Sequence, residues 1–308
     1  MIICCGEALI DFIPIRAQDG TPAYSPKPGG SPYNVALTLG RLGVRTGFMS
    51  GISEDFFGSF LKETLGSCGV DLSSSQISNR PSTLAFVSLK GDEPQYAFFD
   101  EQSASRVFDP GEVTPLQPDV ECLHVGSISL AGEPAASNIE RLFLGEAGRR
   151  VLSIDPNVRP SVIRDEAAYR TRLSRMIGVA DIVKVSCVDL DWLLPGVDPD
   201  DWARQRVAEN TSLVVLTAGG DGARAFSRSR SIHQPAEAVA VVDTVGAGDA
   251  FTGGLLASLQ QQGCLYREKL CTLTDEELRT ALQFAARVAA VTCARAGADP
   301  PWASELSL

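Results

Sequence analysis

The chain has little histidine. Only His124 and His233 occur in 308 residues, far apart, which argues against chemistry built on a histidine base. No C-x-x-C pair exists among Cys4, Cys5, Cys68, Cys122, Cys187, Cys264, Cys271 and Cys293, so zinc ribbons and thioredoxin-type chemistry lack support. No apolar run reaches the roughly 18 residues that a membrane span requires. The opening "MIICCGEALIDF" has no basic lead and no small-residue cleavage site, so it reads as a core strand rather than a signal peptide. The expectation is therefore a cytoplasmic protein with reduced thiols. Basic residues are also short: 27 Lys and Arg against 38 Asp and Glu give a net charge of -11. That excludes nucleic acid and anionic membrane as expected partners, while a small anionic ligand stays open because a local pocket can oppose the overall field. Any chemistry should fall to carboxylates, backbone amides and bound ions.

What is present is an ordinary globular composition, with 44% hydrophobic residues and a mean hydropathy of +0.04. The length permits one large or two smaller domains. Short, near-continuously apolar runs end in Gly, Ser or Asn: "MIICCG", "RTGFMSG", "CLHVGSIS", "RVLSIDPN", "DIVKVS" and "SLVVLTAGG". They read as strands buried on both faces. Between them, 34–42, 55–68, 134–148 and 167–177 carry helical periodicity, and "TDEE" opens a last helix over 274–293 with a cap and an acidic first turn. Buried strands separated by helices indicate an α/β fold with a mostly parallel sheet.

Two segments break this rhythm. Residues 12–28 carry four prolines and a turn-like "QDG", and 82–99 read as two alternating strands joined by "KGDE". The expectation is a small β element formed by about 12–33 and 80–102. It would be either a lid over a site or a plain antiparallel extension of the sheet.

"DTVGAGDAFTGG", from Asp243 to Gly254, reads with its preceding "AVAVV" as strand, turn and helix, the strand over Val239–Val242. Gly246, Ala247 and Gly248 make the turn without bulk. The first amides of the following helix lack internal partners and sit at its positive end, where a phosphate can dock. No Walker A sequence exists in the chain. Asp249 in the middle of this loop is either a helix-start residue stabilised by the dipole or a base beside donors that neutralise developing charge.

These residues carry a resemblance. "DTVGAGDAFTGG" resembles the C-terminal motif of the ribokinase-like (PfkB) carbohydrate kinases, and "PGGSPYNVALTLGRLG" (Pro28 to Gly43) resembles their N-terminal motif. The order of "CGEALIDF", the Gly-Gly block and the Gly-Ala-Gly-Asp block extends the likeness over essentially the whole chain, and "HVGSISL" with "SIDPNVRP" is most similar to the fructokinase branch.

The resemblance implies a single ribokinase-like domain over 1–308, a three-layer αβα core with a small β-sheet lid, and transfer of phosphoryl from ATP to a sugar hydroxyl. It implies Asp249 as the base, Gly246, Ala247 and Gly248 as amide donors, and Asp11, Gly29, Gly30, Asn34 and Arg159 around the sugar. Asn34 read alone is also a helix cap, and Arg159 also a surface residue past a strand end. Asn157, Lys184, Thr217, Gly219 and Gly222 are implied for the nucleotide, with Asn157 near the phosphates or hydrated Mg²⁺.

Three positions depart from the family pattern. Ser186 and Asp189 stand where Asn and Glu are common, leaving Asp189 as a water-mediated support for Mg²⁺. Arg287 stands where an Asn facing the adenine is common and is expected to point to solvent. A K⁺ ion held by carbonyls of Asp243 and Val245 with the 292–297 loop is also implied. Fructose is the expected substrate. A 2-keto-3-deoxygluconate or nucleoside kinase of the same fold, and a non-catalytic sugar or nucleotide sensor, are the alternatives. An apolar lid face could pair with a second copy.

Overall fold

The short apolar runs become strands. The computed structural model describes residues 1–88, 95–113, 115–228 and 230–306. In chain order the strands are β1 (Ile2–Cys5), β2 (Leu9–Arg16), β3 (Pro22–Gly29), β4 (Thr46–Met49), β5 (Gly51–Ser53), β6 (Gln76–Ser78), β7 (Thr83–Ser88), β8 (Gln95–Phe99), β9 (Cys122–Gly126), β10 (Val151–Asp155), β11 (Ile182–Ser186), β12 (Leu213–Thr217), β13 (Ala223–Ser227) and β14 (Arg230–Gln234). The helices are α1 (Ser31–Arg41), α2 (Phe56–Ser67), α3 (Ala135–Gly145), α4 (Glu166–Val179), α5 (Cys187–Leu193), α6 (Pro199–Glu209), α7 (Ala247–Gln261), α8 (Arg267–Leu270) and α9 (Asp275–Cys293).

The main sheet runs β14-β13-β12-β11-β10-β9-β1-β4. It is parallel from β12 to β4, with β13 and β14 added antiparallel at one edge. Successive side chains on a strand point to opposite faces, so each strand feeds two cores. Ile2, Cys122, Ile182 and Leu213 pack with α1, α7 and α9. Ile3, Leu123, Leu152 and Val183 pack against the layer that carries Phe143, Leu173 and Val207. The expected three-layer αβα core results. The cap expected at the last helix is present, with Thr274 and Glu277 forming a reciprocal capping box.

The two irregular segments meet in a second sheet of order β3-β2-β7-β8. Its strands alternate. Leu9, Asp11, Tyr96 and Phe98 line a cleft against the core, while Phe12, Tyr24, Phe86 and Phe99 form an aromatic cluster, with Phe12 and Phe86 stacked at 4.6 Å. The "KGDE" turn, residues 90–93, lies outside the described residues.

One expected strand does not form. Val239–Val242 runs without strand structure, and Val241 and Val242 are 63% and 64% exposed. The edge of the sheet is already closed by β14, and the amides of Val242 and Asp243 donate instead to the carbonyl of Cys293, at 2.8 and 3.2 Å. Among the described residues no helix is long and apolar enough to cross a membrane.

Candidate active site

The carboxyl ends of the central strands and the start of α7 converge, which is where open α/β sheets bind ligands. Gly246 caps α7 in the left-handed region (φ 74°), and a Cβ there would lie 2.5 Å from that of Ala298. Only glycine turns the chain here without strain or collision. Asp249 follows in the first turn of α7, and its carboxylate is buried. Ser31 Oγ donates to Oδ1 at 2.6 Å, Asn34 Nδ2 donates to Oδ2 at 2.8 Å, and Asn157 Nδ2 reaches Oδ1 at 3.4 Å. Burial pushes this carboxyl up to about 6, and the Ser31 and Asn34 hydrogen bonds oppose that rise. Asp249 is thus a helix-start residue, but its acceptors are taken by distant elements rather than by its own helix. Asn34 lies inside α1, whose N-cap is Gly30, so the capping alternative for Asn34 is corrected: its amide is turned to Asp249.

A cavity of about 700 Å³ opens beside Asp249. Of the residues implied for a sugar, Asp11, Gly30, Asn34 and Arg159 line it; Gly29 does not. A Cβ on Gly29 would lie 2.3 Å from Asp11 Oδ2, so Gly29 makes room for that carboxylate. Burial, then the charge of Asp249, pushes Asp11 up to about 7, with the Arg159 guanidinium opposing. Arg159 is half-buried rather than a free surface residue. Asn157 and Ser127, both non-glycine residues at positive φ (40° and 61°), also line this cavity. Such backbone costs free energy and tends to gather at functional sites.

A second cavity of about 370 Å³ is lined by Thr217, Gly219 and Gly222 as implied, and also by Val239, Val241 and Cys293. The two cavities share Thr244 and Gly248, so they meet at the first turn of α7. Its apolar walls and bare glycine backbone suit a flat base beside phosphate-binding amides.

Lys184 lines neither cavity. It is buried and paired with Asp155 at 2.7 Å, and its Nζ lies 3.0 Å from where a Cβ on Gly248 would stand. It is placed beneath the loop, as a buried charge under the amides. Asp189 Oδ1 accepts the amide of Val158 at 3.1 Å, so it braces the segment that carries Asn157 and Arg159. Asp243 accepts the amides of Val245 and Gly297 at 3.0 and 2.8 Å, which draws the two loops together. Arg287 is exposed, as expected, and lies 3.9 Å from Glu237.

Sequence reasoning missed four contributors. Ser31 sits in the quoted Gly-Gly block, and Glu7 in "CGEALIDF". Glu7 is buried, accepts the amides of Ser31 and Ser129 at 3.0 and 3.1 Å, and is pushed by burial up to about 7. Tyr96 and Phe98 share the cleft-facing parity of β8; strict alternation held that signal, but not which parity faced the cleft.

A family model described as "pfkB family carbohydrate kinase" matches residues 1–305. The chain belongs to the pfkB family of carbohydrate kinases. It is 43% identical to a fructokinase of Rhizobium leguminosarum bv. trifolii over 279 residues, covering 91% of this chain and 86% of that one. Two crystal structures show the same ribokinase-like fold. A fructokinase from Xylella fastidiosa with bound ATP superposes with a TM-score of 0.88 at 28% identity, covering 96% of this chain and 93% of that one. A fructokinase from Vibrio cholerae O395 in a fructose-, ADP- and calcium-bound form gives 0.84 at 29%, with 96% and 94% covered. The chain is a sugar kinase.

Proposed function

We propose that this kinase transfers the γ-phosphoryl group of ATP to fructose, giving fructose 6-phosphate. The observation that carries the reading is the meeting of the two cavities at α7, with Asp249 on the side of the larger one. The larger cavity holds the sugar, with Asp11, Asn34 and Arg159 contacting its hydroxyls. The smaller holds the adenine and ribose beside Thr217, Gly219 and Gly222. The likeness to fructokinases supports fructose as the acceptor.

Asp249 accepts the proton of the attacking hydroxyl. That oxygen bonds to the γ-phosphorus as the bond to the bridging β–γ oxygen breaks, and ADP leaves. Amides of Gly246 and Gly248 meet the charge on the transferring group, and buried Lys184 adds a positive charge beneath them; the Ala247 amide, expected as a third donor, is turned instead to the Thr244 carbonyl at 3.2 Å. Magnesium fits as a largely hydrated ion arriving with the nucleotide. Among the described residues no three His, Cys, Asp or Glu side chains gather as a cage, and Mg²⁺ commonly keeps several waters with few carboxylates. It would neutralise phosphate charge, with Asn157 and the Asp189-braced segment facing its waters. Carbonyls of Asp243 and Val245 with the 292–297 loop would hold K⁺. Segments 12–33 and 80–102 act as a lid that shuts water out through Tyr96 and Phe98. Its outer aromatic face, where Tyr24 and Phe99 are 49% and 61% exposed, seats a second copy of the chain.

A coupled assay of ADP release over sugars, keto-acids and nucleosides tests the substrate. Fructose should turn over fastest; a keto-acid or nucleoside in its place would reassign the acceptor, and binding without turnover would make the protein a sensor. Asp249→Asn should lower kcat by about 10²–10⁴-fold with little change in KM, the usual range for a lost general base. Near-normal turnover in that variant would overturn the base assignment.

A further inference from the structure

Asp249 is held by unequal partners. Oδ1 takes the Ser31 hydroxyl at 2.6 Å with Asn157 farther off at 3.4 Å, while Oδ2 takes Asn34 alone at 2.8 Å. A carboxylate oxygen has two lone pairs, so Oδ2 is the oxygen with one to spare for an incoming hydroxyl. Ser31 is in turn fixed from behind. Its amide donates to buried Glu7 at 3.0 Å. The preceding Gly30 lies at φ 107°, where a Cβ would stand 2.6 Å from the Glu7 carbonyl oxygen. Ser31 is 5% exposed, and its one hydroxyl proton is spent on Asp249.

We propose that Ser31 is a positioning residue for phosphoryl transfer: its hydroxyl locks Oδ1 so that Oδ2 faces the acceptor. This rests on Asp249 being the base. A charged acceptor makes this hydrogen bond stronger than a neutral one, and it favours the ionised carboxylate against burial. The other groups facing Asp249 are Asn34 from α1, Asn157 after β10, the Asp155–Lys184 pair on β10 and β11, and Asp11 from β2. Asp155 and Asp11 disfavour a second negative charge and Lys184 favours it. Of the described donors, only Ser31 and Asn34 lie within 3 Å.

Ser31→Ala removes only the hydroxyl. The amide bond to Glu7 stays, and alanine suits a helix start at least as well within α1. The acid limb of kcat/KM against pH should move up by about one pH unit, the effect of losing one charge-assisted hydrogen bond. With the carboxyl moving from about 6 to about one unit higher, turnover should fall about twofold at pH 7 and approach tenfold only well below pH 6, with KM for ATP unchanged, and the loss should vanish at alkaline pH. A ¹³C carboxyl NMR titration of Asp249, assigned with Asp249→Asn, should show its midpoint rising in Ser31→Ala. An unmoved midpoint and acid limb would overturn the proposal and leave Ser31 as packing. The NMR midpoint does not depend on turnover, so it judges Ser31 separately. Retained turnover in Asp249→Asn would instead overturn the base assignment.

Discussion

Asp11 on β2 and Gly29 on β3 are diagonal neighbours, Gly29 pairing with Leu9 and Asp11 with Lys27, and the fit between them makes a sharp test at the scale of one residue. A Cβ on Gly29 would lie 2.3 Å from Asp11 Oδ2, well inside any contact distance, so Gly29→Ala must move the carboxylate. The sugar KM should rise about tenfold or more, since small displacements at a site are costly, while KM for ATP holds. An unchanged sugar KM would remove Asp11 from the acceptor site. Gly30, Asn34 and Asp249 were legible because their motif fixes both residue type and spacing. Gly29, expected beside the sugar, lies outside the cavity lining and leaves room for the Asp11 carboxylate. Glu7 and Ser31 stayed hidden because their partners are remote in sequence: Ser31 meets Asp249 across 218 positions and Glu7 across 24. No local pattern encodes such an approach.

The elements were legible where burial on both faces forces continuous apolar runs, as in β9 to β12. They were misread where an apolar run serves a cleft instead of a core. Val239–Val242 has the composition of a strand, yet it borders the smaller cavity through Val239 and Val241. The helix α6 went unnoticed because its apolar residues are few, with Trp202, Ala203 and Val207 the buried ones, and α5 because its seven residues, Cys187–Leu193, span only about two turns and follow the apolar β11 directly. The second sheet shows the reverse case, where period-2 alternation correctly announced two faces. Its aromatic face is the element to test for pairing. Phe86 packs edge-on against Tyr24 and Phe99 at 5.4 and 5.6 Å, so the exposed rings are held by neighbours. Phe99→Glu should shift the sedimentation coefficient from that of a dimer to that of a monomer. A wild-type chain that sediments as a monomer at high concentration would end the pairing proposal.

Across the whole molecule, the site concentrates ionisable groups that burial makes reluctant to ionise. Glu7 and Asp11 are pushed up to about 7 and Asp249 up to about 6. In an unfolded chain such groups titrate near about 4. Between those values the folded state binds more protons than the unfolded one, so the free energy of unfolding falls as pH rises. The net charge of -11 acts in the same direction, because protonation lessens self-repulsion. The ligand-free protein should therefore melt at a higher temperature near about pH 5.5 than near about pH 8, opposite to the effect of carboxylates stabilised by ion pairs. Glu277, pulled down to about 2 by Lys269 and the Thr274 amide, works the other way. Its contribution is present above its unfolded value and lost only in stronger acid, so it leaves this window untouched, whereas buried His124, pushed down to about 4, opposes the three carboxylates in the acid part of the window without outweighing them. Catalysis should show the opposite slope: as the proposed base, Asp249 accepts a proton only when ionised, and turnover should fall below about pH 6. Asp11→Asn removes one titrating group and should flatten the melting curve across the window. A melting temperature that rises with pH over the same range would mean that these carboxylates ionise normally in the fold, and the buried-site electrostatics would have to be abandoned.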